Sequence, residues 1–83
     1  LSQRTLMIEG LEQLSIVKHI YPSDANFILV KVDDANLRYK QLVEKGIIVR
    51  NRNSVTLCEN CLRITIGTAQ DNKELLNALK SLA

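Results

Sequence analysis

A nearly unbroken apolar run, Phe-Ile-Leu-Val-Lys-Val, occupies residues 27–32 and constrains the fold more than any other feature. A strand reads as a continuous apolar run when both of its faces are covered by other parts of the protein. We therefore predict that residues 27–32 form the central strand of a sheet. The rest of the chain has to supply that sheet's other strands and its covering layer.

The 83 residues, 46% of them apolar and 24% charged, suit one small domain over residues 1–83. Leu, Ile and Val number 13, 8 and 6, against three aromatic residues, Tyr21, Phe27 and Tyr39, which predicts an aliphatic core. A chain of this size buries only roughly 60% of its unfolded surface, so its stability should be marginal unless it docks on something. The length also excludes most complete enzymes.

Apolar side chains recur at helical or alternating spacing in seven segments. The predicted order is a helix over about residues 2–14, strands over 16–21 and 27–32, a helix over about 35–45, strands over 47–49 and 61–66, and a helix over about 69–82. A loop is predicted over residues 50–60, and a turn over residues 22–24. This order favours an α+β fold, an α/β sandwich in which helices pack on one face of a small, mostly antiparallel sheet.

Several residues predict where the helices begin, end and pack. Asp33 or Asp34 can cap the second helix, and Gly46 can end it in the left-handed conformation. Thr68 and Asp71 resemble a capping box for the third helix. The buried stripe of the second helix is predicted to contain Ala35, Tyr39, Leu42 and Val43.

Two arginines are the unusual feature of the strand segments. Arg50 follows one apolar segment, and Arg63 lies inside another, on the face opposite Leu62 and Ile64. A guanidinium there is costly unless it finds an anion, and its geometry suits a carboxylate or a phosphate. The alternative is an internal salt bridge, for example between Arg63 and either Glu59 or an aspartate elsewhere in the fold.

Arg52 adds a third cation two residues after Arg50. It could begin a phosphate-binding loop, but solvated surface is the favoured interpretation. The formal net charge of +2 is too small to attract polyanions by itself, so any anion site must be local.

Cys58 and Cys61 have the C-x-x-C spacing of redox pairs and of half-sites for zinc. Structural zinc needs four ligands, and His19 is the one further candidate, so no metal site is predicted. A redox thiol is activated at a helix N-terminus, whereas Cys61 opens a strand. The favoured interpretation is a small buried residue at Cys61 and an ordinary loop thiol at Cys58.

The remaining patterns exclude other classes. No stretch approaches the ~20 apolar residues of a membrane span, and residues 1–4 do not resemble a secretion signal, so we expect a cytoplasmic protein. The sequence has no glycine-rich phosphate loop, no nucleophile elbow and no carboxylate pair with a clear partner, so no catalytic residue is predicted. The chain begins without methionine, which suggests a piece of something longer.

Three stretches carry a resemblance to a known family. Residues 21–30 read YPSDANFILV, residues 45–50 read KGIIVR and residues 59–68 read ENCLRITIGT. Together, in this order, they resemble the C-terminal small domain of the histidinol-phosphate aminotransferases, over essentially the whole chain. Within the first stretch we interpret Asn26 as shaping the turn into the central strand, and the alternative is that it faces the active site.

The resemblance implies the aspartate-aminotransferase fold and an enzyme of histidine biosynthesis that depends on pyridoxal 5'-phosphate. Such an enzyme transfers an amino group between glutamate and imidazole-acetol phosphate, and it acts as a homodimer on small molecules, with no nucleic acid or membrane. This chain would be its substrate-closing domain, inactive alone, with the cofactor and the catalytic residues in an absent large domain. The family's pattern places Arg63 on the substrate carboxylate and Arg50 on the distal phosphate or carboxylate.

Two other functions stay open. One is a neighbouring aminotransferase, or a decarboxylase of phosphorylated substrates, with the same fold. The other is a stand-alone module that holds RNA or an anionic metabolite with Arg50, Arg52 and Arg63, although the sequence lacks interleaved aromatic residues for base stacking.

Overall fold

One antiparallel sheet with helices on a single face makes up the described part of the chain, residues 2–21 and 26–82 of a computed structural model. Its elements are α1 (Gln3–Glu12), β1 (Val17–Tyr21), β2 (Phe27–Val32), α2 (Ala35–Glu44), β3 (Arg50–Asn51), β4 (Cys61–Thr65) and α3 (Ala69–Leu82). The predicted α+β class and the order of the elements are confirmed. The turn predicted over residues 22–24 lies outside the described residues.

The sheet has the strand order β1-β2-β4-β3, and all of its pairings are antiparallel. β2 is an inner strand, as its apolar run predicts. Its alternate residues Ile28, Val30 and Val32 are buried beneath the helices, but Phe27 and Leu29 on the other face are only half-buried. The expectation that both faces are covered is therefore wrong for this chain, because all the helices lie on one side.

The core between sheet and helices is aliphatic, as predicted, apart from Met7. Its buried members are Met7, Leu11, Leu14, Ile16, Ile28, Val30, Val32, Ala35, Leu42, Val49, Leu62, Ile64, Leu75 and Leu79. Gly10 allows α1 to approach α3 closely, since a Cβ atom there would lie 2.7 Å from Leu76 Cδ1. A glycine that weakens the helix locally therefore permits its packing.

The start of α2 decides between the two predicted caps. Asp34 is the N-cap, because its side chain accepts a hydrogen bond from the Leu37 N–H at 3.2 Å. Asp33 instead forms a salt bridge with Arg38, 2.8 Å between Oδ2 and Nη2. Val43, predicted to be buried, is 51% exposed, because the helix turns it to the solvent side of the buried Leu42.

The segment after α2 differs from its prediction. Gly46 has the expected left-handed φ of +77°, but residues 47–49 do not form a strand. The Ile47 N–H donates back to the Leu42 carbonyl at 2.9 Å, and Val49 turns into the core. The backbone therefore reaches β4 only at Arg50, so β3 falls inside the region predicted as a loop.

The last strand and helix follow the sequence pattern closely. In β4, Leu62 and Ile64 are buried beneath the helices, and the strand ends one residue before the predicted Ile66. Thr68 caps α3 by accepting a hydrogen bond from the Asp71 N–H at 3.1 Å. No helix among residues 2–21 and 26–82 has the length and apolar character needed to cross a lipid bilayer.

The Asp33–Arg38 pair predicts a pH dependence of stability. The Arg38 guanidinium holds the pKa of Asp33 below its ordinary value of 3.8, chiefly through their hydrogen bond. A carboxyl whose pKa is lower in the folded state stabilises the fold above its unfolded pKa and loses that contribution as pH falls through the folded pKa. Between about pH 5 and pH 2, the urea midpoint of the native chain should fall more steeply than that of an Asp33→Asn variant. An equal fall of the urea midpoint with pH in the native chain and in Asp33→Asn would contradict the stabilising role of the Asp33–Arg38 pair.

Candidate anion-binding site

The candidate site lies on the face of the sheet that the helices leave open. Residues that face each other across neighbouring strands point to the same side of a sheet. One row across this sheet runs Tyr21, Leu29, Arg63 and Arg50, from β1 to β3. The sheet thus places Arg63 and Arg50 directly opposite each other, with Cβ atoms about 5 Å apart as in any such pair.

Arg63 is held in place by packing, with no counter-charge. Its guanidinium carbon lies 5.1 Å from the centre of the Phe27 ring, a cation–π contact. Its Nε atom is buried and has no hydrogen-bond partner. Within the described residues, the one salt bridge is Asp33–Arg38, so the alternative pairing of Arg63 with Glu59 is wrong.

Arg50 is exposed at the edge of the same face. Its side chain forms no hydrogen bond or ion pair within the described part of the chain. Like charges directly opposite each other on a sheet destabilise it, and an unpartnered buried donor costs about 1–3 kcal/mol. An anion bound by both guanidinium groups would offset the repulsion between them.

The two arginines differ in how firmly the fold holds them. Arg63 lies in the middle of β4, which is hydrogen-bonded to β2 on one side and to β3 on the other. Arg50 begins the two-residue edge strand β3, after the irregular residues 47–49. Arg63 can therefore orient a planar carboxylate rigidly, whereas Arg50 can adjust to a more distant anion.

Three further side chains with nitrogen atoms, those of Lys31, His19 and Arg52, lie on the same face of the sheet. Lys31 lies opposite Cys61 in the next row, and His19 lies opposite Lys31 and packs edge-on against Tyr21 at 4.4 Å between ring centres. The Arg52 N–H donates to the Cys61 carbonyl at 3.0 Å, so the pairing of β3 continues one residue further, and Arg52 is half-buried.

Phe27 contributes to the site in a way that the sequence pattern does not predict. The sequence predicts Phe27 as the first residue of the central strand, but it does not predict the contact between the Phe27 ring and the Arg63 guanidinium. Its place on the open face follows from the alternation of β2, whose buried members begin at Ile28. The contact itself depends on the register in which Phe27 lies opposite Thr65, two residues from Arg63 on the same face of β4.

The chain is similar to curated proteins over nearly its whole length. The chain is 56% identical to the histidinol-phosphate aminotransferase of Flavobacterium psychrophilum over 82 residues, which are 99% of this chain and 24% of that protein. It is 54% identical to the enzyme of the same name from Christiangramia forsetii over 81 residues, 98% of this chain and 23% of that protein. The resemblance predicted from the motifs is confirmed, and the chain spans about a quarter of the length of these relatives.

Solved structures show the same fold. The histidinol-phosphate aminotransferase from Clostridium acetobutylicum matches with a TM-score of 0.88 and 25% identity, over 96% of this chain and 25% of that one. A decarboxylase from Sulfurospirillum multivorans matches with a TM-score of 0.83 and 32% identity, over 96% of this chain and 24% of that one. The sequence pattern of the family described as aminotransferase class I and II matches residues 1–79. The chain therefore belongs to the class I and II aminotransferases.

Proposed function

We propose that this chain is the C-terminal small domain of a histidinol-phosphate aminotransferase and that its open sheet face binds the anionic groups of the substrates. The observation that carries the proposal is the placement of Arg63 opposite Arg50, with no carboxylate paired to either within the described residues. The relatives with this name, at 56% and 54% identity, support the choice of substrate.

The two arginines divide the substrate between them. Arg63 binds the α-carboxylate of glutamate, since its guanidinium is fixed by Phe27 and by the centre of the sheet. Arg50 binds the distal anion, which is the phosphate of histidinol phosphate or the side-chain carboxylate of glutamate. Histidinol phosphate has no carboxylate, so Arg63 serves mainly the glutamate half of the reaction. This domain contributes to the reaction by positioning the substrate. A substrate held in the correct orientation before the chemical step reacts faster.

The rest of the enzyme covers the open face. Phe27 and Leu29 are apolar side chains of an inner strand, and both are half-buried on this face. A second domain over this face would account for the continuous apolar run of residues 27–32. Closing it over bound substrate would exclude water and strengthen each ionic contact with the arginines.

The cofactor of this family, pyridoxal 5'-phosphate, does not fit the residues of this chain. It supplies an electron sink and is carried as a Schiff base on a lysine that a pocket desolvates. Here Lys31 is only half-buried, and the other lysines are exposed: Lys18, Lys40, Lys45, Lys73 and Lys80. We assign the cofactor, the catalytic lysine and the contacts of a homodimer to the remaining three quarters of a cytoplasmic enzyme, and we expect this chain alone to be inactive.

A decarboxylase of phosphorylated amino acids is the second candidate, favoured by the similarity to the Sulfurospirillum multivorans structure. Both functions need an anion site at Arg50, so the residues of this chain serve either. Assays of the full-length enzyme separate them. Transamination of histidinol phosphate with 2-oxoglutarate supports the proposal, whereas carbon dioxide release from a phosphorylated amino acid without amino transfer overturns it.

Arg50→Gln in the full-length enzyme tests the assignment of the distal anion. A charged hydrogen bond contributes about 1.5–3 kcal/mol, so the KM for histidinol phosphate should rise by about 10- to 100-fold. Arg52→Gln is the matched control, because it removes the same charge two residues away and should leave this KM unchanged. Steady-state kinetics measures the KM for histidinol phosphate in both variants. If Arg50→Gln and Arg52→Gln raise it equally, the arginines attract the substrate through their charge in general, and Arg50 makes no specific contact.

A further inference from the structure

The two cysteines lie at the start of β4: Cys61 is the first residue of the strand, and Cys58 precedes it in the loop. Neither belongs to the arginine pair of the candidate site. Cys58 is half-buried, and Cys61 is 1% exposed. The Cys61 N–H donates to the Cys58 carbonyl at 3.0 Å, which closes residues 58–61 into a tight turn. The first and last Cα atoms of such a turn lie within about 7 Å, and disulfides span about 4.4–6.8 Å between Cα atoms. The backbone therefore brings the Cα atoms of Cys58 and Cys61 into the range that disulfides span.

Asn60 holds this turn in place from inside. It has a left-handed φ of +58°, and its N–H donates to Asn53 Oδ1 at 2.7 Å. Its carbonyl accepts from the Val32 N–H at 2.8 Å, and its side-chain oxygen accepts from the Ala35 N–H at 3.2 Å. Opening the turn would break contacts with the end of β2 and the start of α2. Two cysteines whose backbone is fixed this close together have a high effective concentration toward each other.

The two thiols are unequal in access. The Cys61 thiol donates to the Glu59 carbonyl, 3.6 Å from sulfur to oxygen, and burial raises its pKa. An outside reagent therefore meets Cys58 first, and Cys61 reacts only with a sulfur that is already beside it. This is the arrangement of an attacking thiol followed by a resolving thiol.

We propose that Cys58 and Cys61 form a reversible dithiol–disulfide pair that exchanges with small-molecule disulfides. The Cys58 thiolate attacks one sulfur of the small disulfide, whose S–S bond breaks, and a mixed disulfide and one small thiolate result. Cys61, as a thiolate, then attacks the Cys58 sulfur and releases the second small thiolate. The two cysteine sulfurs lose two electrons, the small disulfide gains them, and the two cysteine protons end on the two released thiolates. The inference does not depend on the function proposed above.

The test equilibrates the 83-residue chain with graded mixtures of reduced and oxidised glutathione, in buffer and in urea. Acid quenching, alkylation and mass spectrometry then count the free thiols. We expect both thiols to disappear together, with a loss of two hydrogens. At half-oxidation of the chain, we compare the squared concentration of reduced glutathione divided by the concentration of oxidised glutathione. This ratio should be at least about tenfold higher for the folded chain than for the urea-unfolded chain, because only the fold holds the turn closed. An equal or lower ratio for the folded chain overturns the proposal.

Single variants test the order of attack. Cys61→Ser should trap the mixed disulfide of Cys58 with glutathione, whereas Cys58→Ser should leave the buried Cys61 thiol unmodified over the same time. If Cys61 in the Cys58→Ser variant were modified as fast as Cys58 in the Cys61→Ser variant, the assignment of Cys58 as the attacking thiol would be contradicted. Circular dichroism of both variants checks that each retains the native fold.

Discussion

Arg63→Gln in the full-length enzyme is expected to raise the KM for glutamate by on the order of 100-fold, the equivalent of about 3 kcal/mol. Glutamine has a similar shape but lacks the charge and the two parallel donors that hold a carboxylate. Arg63 is packed over Phe27 and lies on an inner strand, so its guanidinium is held more firmly than that of the exposed Arg50. Steady-state kinetics with glutamate as the varied substrate measures the effect.

Two further variants show whether the loss comes from the guanidinium geometry. Arg63→Lys keeps the charge, and its KM for glutamate should lie between that of the native enzyme and that of Arg63→Gln, because an ammonium group cannot bind a carboxylate with two parallel bonds. Arg38→Gln removes a guanidinium from the helix layer and should leave the KM for glutamate unchanged. A native KM in Arg63→Gln would remove Arg63 from the site.

The same substitution should have little effect on folding. Arg63→Gln removes a weak cation–π contact, but it also removes an unpartnered buried Nε and the repulsion from Arg50. These terms oppose each other, so we expect the free energy of unfolding to change by less than about 1 kcal/mol. A functional loss without a loss of stability is what distinguishes a binding residue from a structural one.

Leu62→Ala is expected to lower the free energy of unfolding by about 2–5 kcal/mol. Leu62 is 0% exposed and lies on the inner strand β4, opposite Val30 of β2. Its removal leaves a cavity between the sheet and the helices. At about 0.05–0.15 kcal/mol per residue, a domain of this length has a total stability of only a few times that loss. We therefore expect a large shift of the urea midpoint, or loss of the cooperative transition, by circular dichroism.

Ile48→Ala is the matched control for this core variant. It also shortens an aliphatic side chain to alanine, but Ile48 is 89% exposed, so the change should stay within about 0.5 kcal/mol. Equal midpoints for Leu62→Ala and the native chain would contradict the assignment of Leu62 to the core. A large effect of Ile48→Ala would show that the isolated chain buries this residue in solution.

Local signals explain which parts of the fold the sequence predicts well. Asp34, Gly46 and Thr68 act within one helical turn of their own positions, so their residue types predict the ends of α2 and the start of α3. The strand predicted over residues 47–49 failed because Ile47 and Val49 are apolar for another reason. Ile47 is partly buried against the core and Val49 is buried in it, and neither belongs to a β-strand.

The sequence by itself determined the α+β order, the aliphatic core, the family and the two arginines as candidates for anion binding. Each of these depends on local periodicity, composition or a motif that can be read along the chain. Only the tertiary structure decided that Arg50 lies opposite Arg63 and that Phe27 lies beneath the Arg63 guanidinium. Those contacts join residues 13 and 36 positions apart. The register of three strands sets them, and that register results from the packing of the whole core, which no local pattern contains.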